Sequence, residues 1–393
     1  MKRLLPLFFV VVIDLLGFGI IIPLFPFMGL RLGVTASEIT PILAAYSLCQ
    51  LIAAPVWGAL SDRFGRRPIL MTSMLGASTS YLMLAYGDSM GWLIASRVVG
   101  GLMAGNISAA LAYASDVTTP EDRAKGLGMI GAAIGIGFML GPAIGGLLAG
   151  GDVDTANFTL PALVAAALSI VAFLAVLLLL PESHTAEHRA LHAEQRRGSS
   201  VRLLFARPAL MMIVGATLLF TIAHAMLESV LAFWAFDRFG FGPRQVALLL
   251  LMMGGVLVIM QGGVVGRLTR RFGEKRVAMA GVIVYLTGLA LLATVSSLPL
   301  AILAGVCCGV GAGAYNPSAS SLASRQAAPH ERGVVMGTYQ SATSLARVIG
   351  PAISGPLYAT ISIGAPFALG LLVSLPAIWL VAASQRVTAA PPA

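Results

Sequence analysis

The sequence predicts an all-α integral membrane fold, with twelve transmembrane helices in two parallel-repeat six-helix bundles. Three observations predict it. Only 10% of the 393 residues are charged and the mean hydropathy is +0.90, whereas a soluble domain carries about 25% charged side chains. Apolar runs of roughly 20 residues, long enough to cross a ~30 Å hydrocarbon core, recur down the whole chain. The second half also repeats the first. GALSDRFGRRP at 58–68 returns as GRLTRRFGEKR at 266–276, PEDRAKGLGM at 120–129 as PHERGVVMGT at 329–338, and GPAIGG at 141–146 as GPAISG at 350–355. Six crossings per repeat bring the chain back to the side it started from, so the repeats are parallel. Folds built this way place a small-molecule site between the halves near the bilayer midplane.

Hydropathy places the spans at about 5–27, 41–61, 69–87, 91–115, 125–150, 158–180, 208–236, 243–266, 277–295, 298–322, 333–360 and 364–384. The first opens on Lys2 and Arg3, and Asp14, Pro23 and Pro26 interrupt it. With no small-residue cleavage pattern closing it, it reads as an uncleaved first span. The fifth, GAAIGIGFMLGPAIGG, carries glycines four apart that allow backbone contact; Pro142 removes one helical hydrogen bond and predicts a kink. The polar stretch 181–207 divides the chain into a bundle at 1–180, a linker at 181–207 and a bundle at 208–393. Within the linker, 187–197 suits a charged surface helix or a solvated connection equally.

The formal charge of +9 is distributed by topology. Lys2, Arg3, Arg63, Arg66, Arg67, Arg123, Lys125, Arg267, Arg270, Arg271, Lys275, Arg276, Arg325, Arg332 and Arg386 fall in alternate loops on one side, with the linker arginines, while Arg31, Arg238 and Arg244 fall on the other. This asymmetry puts both termini in the cytoplasm and excludes a nucleic-acid footprint. Cys49, Cys307 and Cys308 lie within spans and read as packing residues, with no disulfide framework.

The turn 58–68 concentrates charge between two apolar runs. Gly58 permits close helix approach, Gly65 a turn at positive φ, and Pro68 the first turn of a helix. Asp62 is placed to meet the N-terminal end of span 11, where unpaired N–H groups carry partial positive charge. Contacts of this kind, about 0.3–1 kcal/mol each when exposed, suit a latch that breaks on every cycle.

These motifs resemble those of the major facilitator superfamily over the full length of the chain. GALSDRFGRRP resembles its loop between spans 2 and 3, RVVGGLMAG at 97–105 its span-4 motif, and GFMLGPAIGG at 137–146 the span-5 motif of its twelve-span drug:proton antiporters. DLLGFGIIIPLFP at 14–26 resembles the first span of that branch, and 43–78 is similar to tetracycline-resistance efflux pumps. Those pumps carry an acid in span 3 where this chain has Ser80, and their intramembrane His of span 8 and Asp of span 9 have no counterpart here. The resemblance implies a proton-coupled antiporter that exports small amphipathic or apolar compounds, in multidrug or tetracycline-like efflux. It implies gating roles for Gly58, Asp62, Arg63, Gly65, Arg66, Arg67, Gly141 and Pro142.

Asp14, Arg97, His224, Glu228 and Arg347 are the ionisable residues well inside spans, and each costs on the order of 2.5–3.5 kcal/mol unless it faces a partner or a cavity. Asp14 lies about ten residues, or roughly 15 Å, into span 1 and so near the midplane. His224 and Glu228, four apart, share a helix face. A carboxylate in a low dielectric takes up and releases protons as its surroundings change, so Asp14 and Glu228 are the expected proton carriers, with Arg97 and His224 tuning or relaying. Tyr46, Gln50, Asn106, Phe233, Trp234, Gln261, Asn316, Tyr339, Gln340 and Arg347 are the expected substrate-lining residues, since aromatic faces with a few polar groups suit amphipathic molecules.

No phosphate-binding GxxxxGK[ST] loop, metal-ligand spacing or GxSxG elbow is present, so neither an enzyme nor a metal or cofactor is expected. The expected partners are a small-molecule substrate, protons and the lipid bilayer. The expected state is a monomer in the bacterial inner membrane. A metabolite uniporter or symporter of the same fold, or a ligand sensor that does not transport, remains an alternative reading of the same residues.

Overall fold

The computed structural model describes residues 4–119, 122–183, 207–327 and 331–388; the segment 187–197 lies outside the described residues. The described residues hold fifteen α-helices and no strand. In the first half these are α1 (Leu4–Ile21), α2 (Phe25–Arg31), α3 (Ala36–Phe64), α4 (Arg66–Tyr86), α5 (Met90–Leu102), α6 (Asn106–Asp116), α7 (Arg123–Ala149) and α8 (Thr159–Leu179). In the second they are α9 (Pro208–Phe239), α10 (Pro243–Ile259), α11 (Val265–Phe272), α12 (Glu274–Thr294), α13 (Leu298–Arg325), α14 (Arg332–Thr360) and α15 (Ala365–Thr388). Eleven stretches are long and apolar enough to cross a membrane. Helix α14 has the length, 29 residues, but Arg347 and the polar run around Tyr339 and Gln340 make it less apolar.

Three expected spans are not straight helices. Span 1 turns at residues 22–24, which include Pro23, and resumes as α2, with Pro26 in its first turn. Span 4 breaks between α5 and α6. Span 8 passes through a π-helical turn, Met260–Val264, which carries Gln261 and lies between α10 and α11. Pro142, by contrast, sits inside an unbroken α7.

The chain divides into two compact units. In the first, α1 packs on α7 and α8, and α4 on α8 and α5. In the second, α9 packs on α14 and α15, and α12 on α15 and α13. These are the same span-to-span pairings, so the sequence repeat is a repeat of packing. Residues Thr35–Ala44 at the start of α3 group with the second unit, and Phe241–Leu251 at the start of α10 with the first. Small residues seat both segments: Gly355 lies against Ala36 and Thr40, and Gly146 against Pro243 and Ala247.

Close helix contact replaces the hydrophobic drive that a membrane cannot supply. A Cβ on Gly141 would lie 2.6 Å from the Gly19 Cα and 3.0 Å from the Ile20 nitrogen. The glycine-rich face of α7 is therefore used to pack α1 inside the first unit. In the second unit, Gly281 and Gly311 bring α12 and α13 into the same kind of backbone contact.

Candidate functional site

The break in span 4 builds the first polar cluster. Gly105 has no room for a Cβ, which would lie 2.6 Å from the Trp57 ring. The backbone freed by the break is not left bare: Trp57 Nε1 donates to the Leu102 carbonyl at 2.6 Å, and Ser73 Oγ bonds the Met103 carbonyl and accepts the Gly105 N–H at 3.1 Å. This arrangement starts α6 at Asn106, whose side-chain amide donates to the Asp14 carboxylate. Asp14 is buried. Tyr81, also buried, lies within electrostatic reach of Asp14, Tyr46 and Arg97.

Arg97 is buried between two rings, its guanidinium carbon 5.2 Å from the Phe25 centroid and 5.7 Å from that of Tyr46. Its Nη2 approaches Ser80 Oγ at 3.5 Å, and its Nε has no hydrogen-bond partner among the described residues. Ser80 itself donates to the Ser96 carbonyl at 2.7 Å. Among the described residues Arg97 makes no ion pair, and Ser80 offers it only a hydroxyl.

The second polar cluster lies on α9. His224 Nε2 is 3.4 Å from Glu228 Oε1, and its Nδ1 is 3.1 Å from the buried hydroxyl of Tyr285 on α12. Arg347 on α14 lies within electrostatic reach of Glu228. Aromatic rings continue the cluster inward: Phe220 packs 4.6 Å from Tyr285 and 4.1 Å from Tyr315, and Tyr315 shares a 3.2 Å hydrogen bond with Thr217. Sequence reasoning missed Tyr285, because an aromatic in an apolar span is indistinguishable from packing until its hydroxyl is seen to meet a titratable partner.

The charged turn is a third, separate assembly. Gly65 sits at φ 108°, between α3 and α4, where a side chain is strained. The turn delivers the Arg66 guanidinium to Asp62 at 2.6 Å, to Asp116 at 3.0 Å and to Ser61 at 3.1 Å. The Glu182 carboxylate, just beyond α8, accepts the backbone N–H groups of Arg66 at 2.8 Å and Arg67 at 3.1 Å. It therefore supplies the N-terminal partner that α4 lacks in its own sequence. Arg67 returns to α8 through the Leu177 carbonyl. Arg63 lies over Phe64. A Cβ on Gly58 would meet nothing within 4 Å, so close approach does not account for that glycine.

The expected lining residues divide. Tyr46, Gln50, Asn106 and Asn316 are half-buried, and Gln261 and Gln340 are exposed. Tyr339 is nearly covered. Phe233 and Trp234 are corrected by the structure: both are buried inside the second unit, Phe233 beside Tyr358 and Trp234 edge-on to Phe239 and Phe367. They pack helices and do not line a space. Among the described residues, no group of His, Cys, Asp and Glu is arranged to hold a metal.

Comparison with known proteins supplies the context. The family model described as Major Facilitator Superfamily matches residues 7–270 and 262–393. The chain is 34% identical over 363 residues to the tetracycline resistance protein, class C, of Escherichia coli, covering 89% of this chain and 88% of that protein. It is 30% identical over 350 residues to multidrug resistance protein 2 of Bacillus subtilis, covering 87% and 85%. Among solved structures, it resembles the human organic anion transporter MFSD10 with a TM-score of 0.72 at 24% identity, covering 97% of this chain and 99% of that one. A bacterial homologue of the lysosomal transporter Spinster matches with a TM-score of 0.80 at 14% identity, covering 98% and 96%.

Proposed function

The chain belongs to the Major Facilitator Superfamily, and from that premise we propose that it is a proton-coupled antiporter exporting small amphipathic or apolar compounds by alternating access. Its relatives at 30% identity or more include proteins named for tetracycline and multidrug resistance. In this reading it works as a monomer, without cofactor or catalysis, in the bacterial inner membrane with both termini in the cytoplasm.

The observation that carries the reading is Asp14, a buried carboxylate midway along α1 whose named partner is the neutral Asn106 amide. No cation pairs with it among the described residues at salt-bridge distance. A buried acid without a fixed counter-ion is suited to exchange a proton, since neither of its charge states is locked. Asp14 is assigned the principal proton, Asn106 its positioning, and Arg97 the tuning of the same cluster. Glu228, with His224, is assigned a second coupling role, balanced by Arg347. The charged turn, together with Gly141 and Pro142, is assigned to gating, with Asp62 as the acid whose partner changes through the cycle. Tyr46, Gln50, Gln261, Asn316, Tyr339 and Gln340 are assigned to the substrate path.

Reconstitution into liposomes with an imposed pH gradient and a panel of fluorescent dyes and antibiotics tests the reading. Native protein should accumulate at least one compound against its gradient, with proton movement in the opposite direction. Asp14→Asn should abolish gradient-driven transport and Glu228→Gln should weaken it. Transport that proceeds unchanged when the pH gradient is collapsed would overturn proton coupling.

A further inference from the structure

His224 is the one histidine among the described residues, and it stands midway along α9. Its side chain is 23% exposed and that of Glu228 45%. Exposure of two such polar groups inside a span is exposure to water, because ionised groups are not left against lipid. Both ring nitrogens are engaged: Nε2 lies 3.4 Å from Glu228 Oε1, and Nδ1 lies 3.1 Å from the Tyr285 hydroxyl. Phe220, one turn earlier on α9, stacks on the ring at 6.5 Å with 14° between the planes. The remaining titratable groups come from the neighbouring helices. Arg347 of α14 lies within electrostatic reach of Glu228, and Cys308 of α13 within reach of Tyr285 on α12. Tyr315 and Tyr339 bond Thr217, two turns earlier on α9. Helix α15 also packs on α9, and it carries no titratable side chain between residues 365 and 384.

Glu228 therefore faces two basic groups, an imidazole and a guanidinium. Arginine does not give up its proton, whereas the charge of an imidazole changes between pH 5 and 8. The variable charge of the cluster is thus the ring's. Its two partners suit both charge states. With the ring neutral, Nε2–H donates to the Glu228 carboxylate and the Tyr285 O–H donates to Nδ1. With the ring charged, Nε2–H keeps its acceptor, and Nδ1–H donates to the same phenol oxygen. A hydroxyl can play either part by rotating, so no heavy atom has to move and neither ring nitrogen is left bare. Uptake forms one N–H bond, with the proton supplied by a hydronium ion in the water that reaches the half-buried ring. The phenol keeps its own hydrogen throughout, and release returns the proton to water.

We infer that the second exchanged proton is held on the His224 imidazole, with Glu228 as its fixed carboxylate partner and Tyr285 as the positioning residue. Tyr285 acts through the ring: it holds Nδ1 in one orientation and meets it in both charge states. What use is made of the proton rests on the antiporter reading above; that the ring binds it does not.

The full-length chain with H184Q, H188Q, H192Q and H330Q keeps His224 as its one histidine. Labelled with isotopic histidine and held in detergent, it is followed by nitrogen NMR from pH 8 down to pH 5. The ring should pass from one protonated nitrogen to two within that range. Adding E228Q or Y285F should displace the change by about one pH unit or more, since each removes a partner of the charged ring. Y285F keeps the aromatic packing, so a role in packing alone would leave the titration where it was. In liposomes, H224Q should exchange about one proton fewer per compound exported, because the ring takes up a single proton. The titration is read on the native ring and does not depend on H224Q folding. A ring that keeps one protonated nitrogen throughout, either added variant titrating as its parent does, or an unchanged proton count in H224Q overturns the inference. A ring that titrates in a protein that moves no compound supports the proton site and counts against the antiporter reading.

Discussion

Glu182 joins the charged turn to the end of the last span of its unit, beside the Arg67 bond to the Leu177 carbonyl, and Glu182→Ala is the most direct test of the carboxylate's part in that tie. Its carboxylate accepts two backbone N–H groups at 2.8 and 3.1 Å. Hydrogen bonds to a charged group contribute about 1.5–3 kcal/mol each. Glu182 is half-buried, so water replaces part of what is lost and the lower end of the range applies, for a total of about 2–3 kcal/mol. For a body of roughly 200 residues, each kcal/mol moves the midpoint by about 2–4 °C, so a drop of roughly 4–12 °C is expected. Glu182→Gln keeps a carbonyl acceptor but loses the charge, and should fall by about half as much. The free thiols Cys49, Cys307 and Cys308 report unfolding through a thiol-reactive dye. A midpoint within 1 °C of native in Glu182→Ala, with unchanged transport, would refute the reasoning, since α4 would then not need the carboxylate.

Other perturbations address the remaining sites. Asn106→Ala removes the amide that bonds Asp14 and leaves a buried acceptor unmet at about 1–3 kcal/mol; gradient-driven dye transport should fall at least tenfold with normal membrane insertion, and wild-type rates would remove Asn106 from the site. Gly141→Ala places a methyl 2.6 Å from the Gly19 Cα, an overpacking of about 1–3 kcal/mol, so the folded yield on size exclusion should drop, while Gly58→Ala, with nothing within 4 Å, should leave it intact. Tyr285→Phe deletes the hydroxyl that bonds His224 Nδ1 at 3.1 Å. The pH dependence of transport should move with expression unchanged; a profile superimposable on the native one would show that the ring is held by other contacts.

The architecture was legible because membrane folds write it coarsely. Spans follow from runs of apolar residues, and the two bundles from a repeat of 208–209 positions in GALSDRFGRRP and GPAIGG. Asp14 was legible as well, since an acid in an apolar run needs a reason. The partners of such residues were not. Hydropathy sees the break at Met103–Gly105 only as part of one span, because its cause is a tertiary contact, the Trp57 ring against Gly105. Phe233 and Trp234 were read as lining because aromatic residues look alike whether they pack or face a cavity; their burial against Tyr358, Phe239 and Phe367 decides it. Of the glycines of span 5, Gly137, Gly141 and Gly145 contact α1, Gly146 contacts α10, and a Cβ on Gly131 or Gly135 would meet nothing within 4 Å; that division is not written in their spacing.

The two halves diverge in charge while their packing stays the same, and the physics of each explains the difference. Span-to-span packing depends on backbone approach at several glycines at once, and a side chain added at Gly141 or Gly311 meets backbone or a buried ring that has no room to yield. Changing one contact therefore disturbs a whole helix pair. An ion pair is held by two residues, and its sign is arbitrary so long as both change: Arg66–Asp116 and Glu274–Arg325 occupy equivalent positions with opposite polarity. Reversing that pair has a consequence for the turn beside it. In the first half three acids, Asp62, Asp116 and Glu182, balance Arg63, Arg66 and Arg67. In the second, among the described residues, Glu274 is the single acid beside Arg270, Lys275, Arg276 and Arg325. The first turn carries its own anion on the helix it starts, whereas the second carries a surplus of cations among the described residues. The asymmetry between the turns is thus a difference in charge balance, carried on one backbone design.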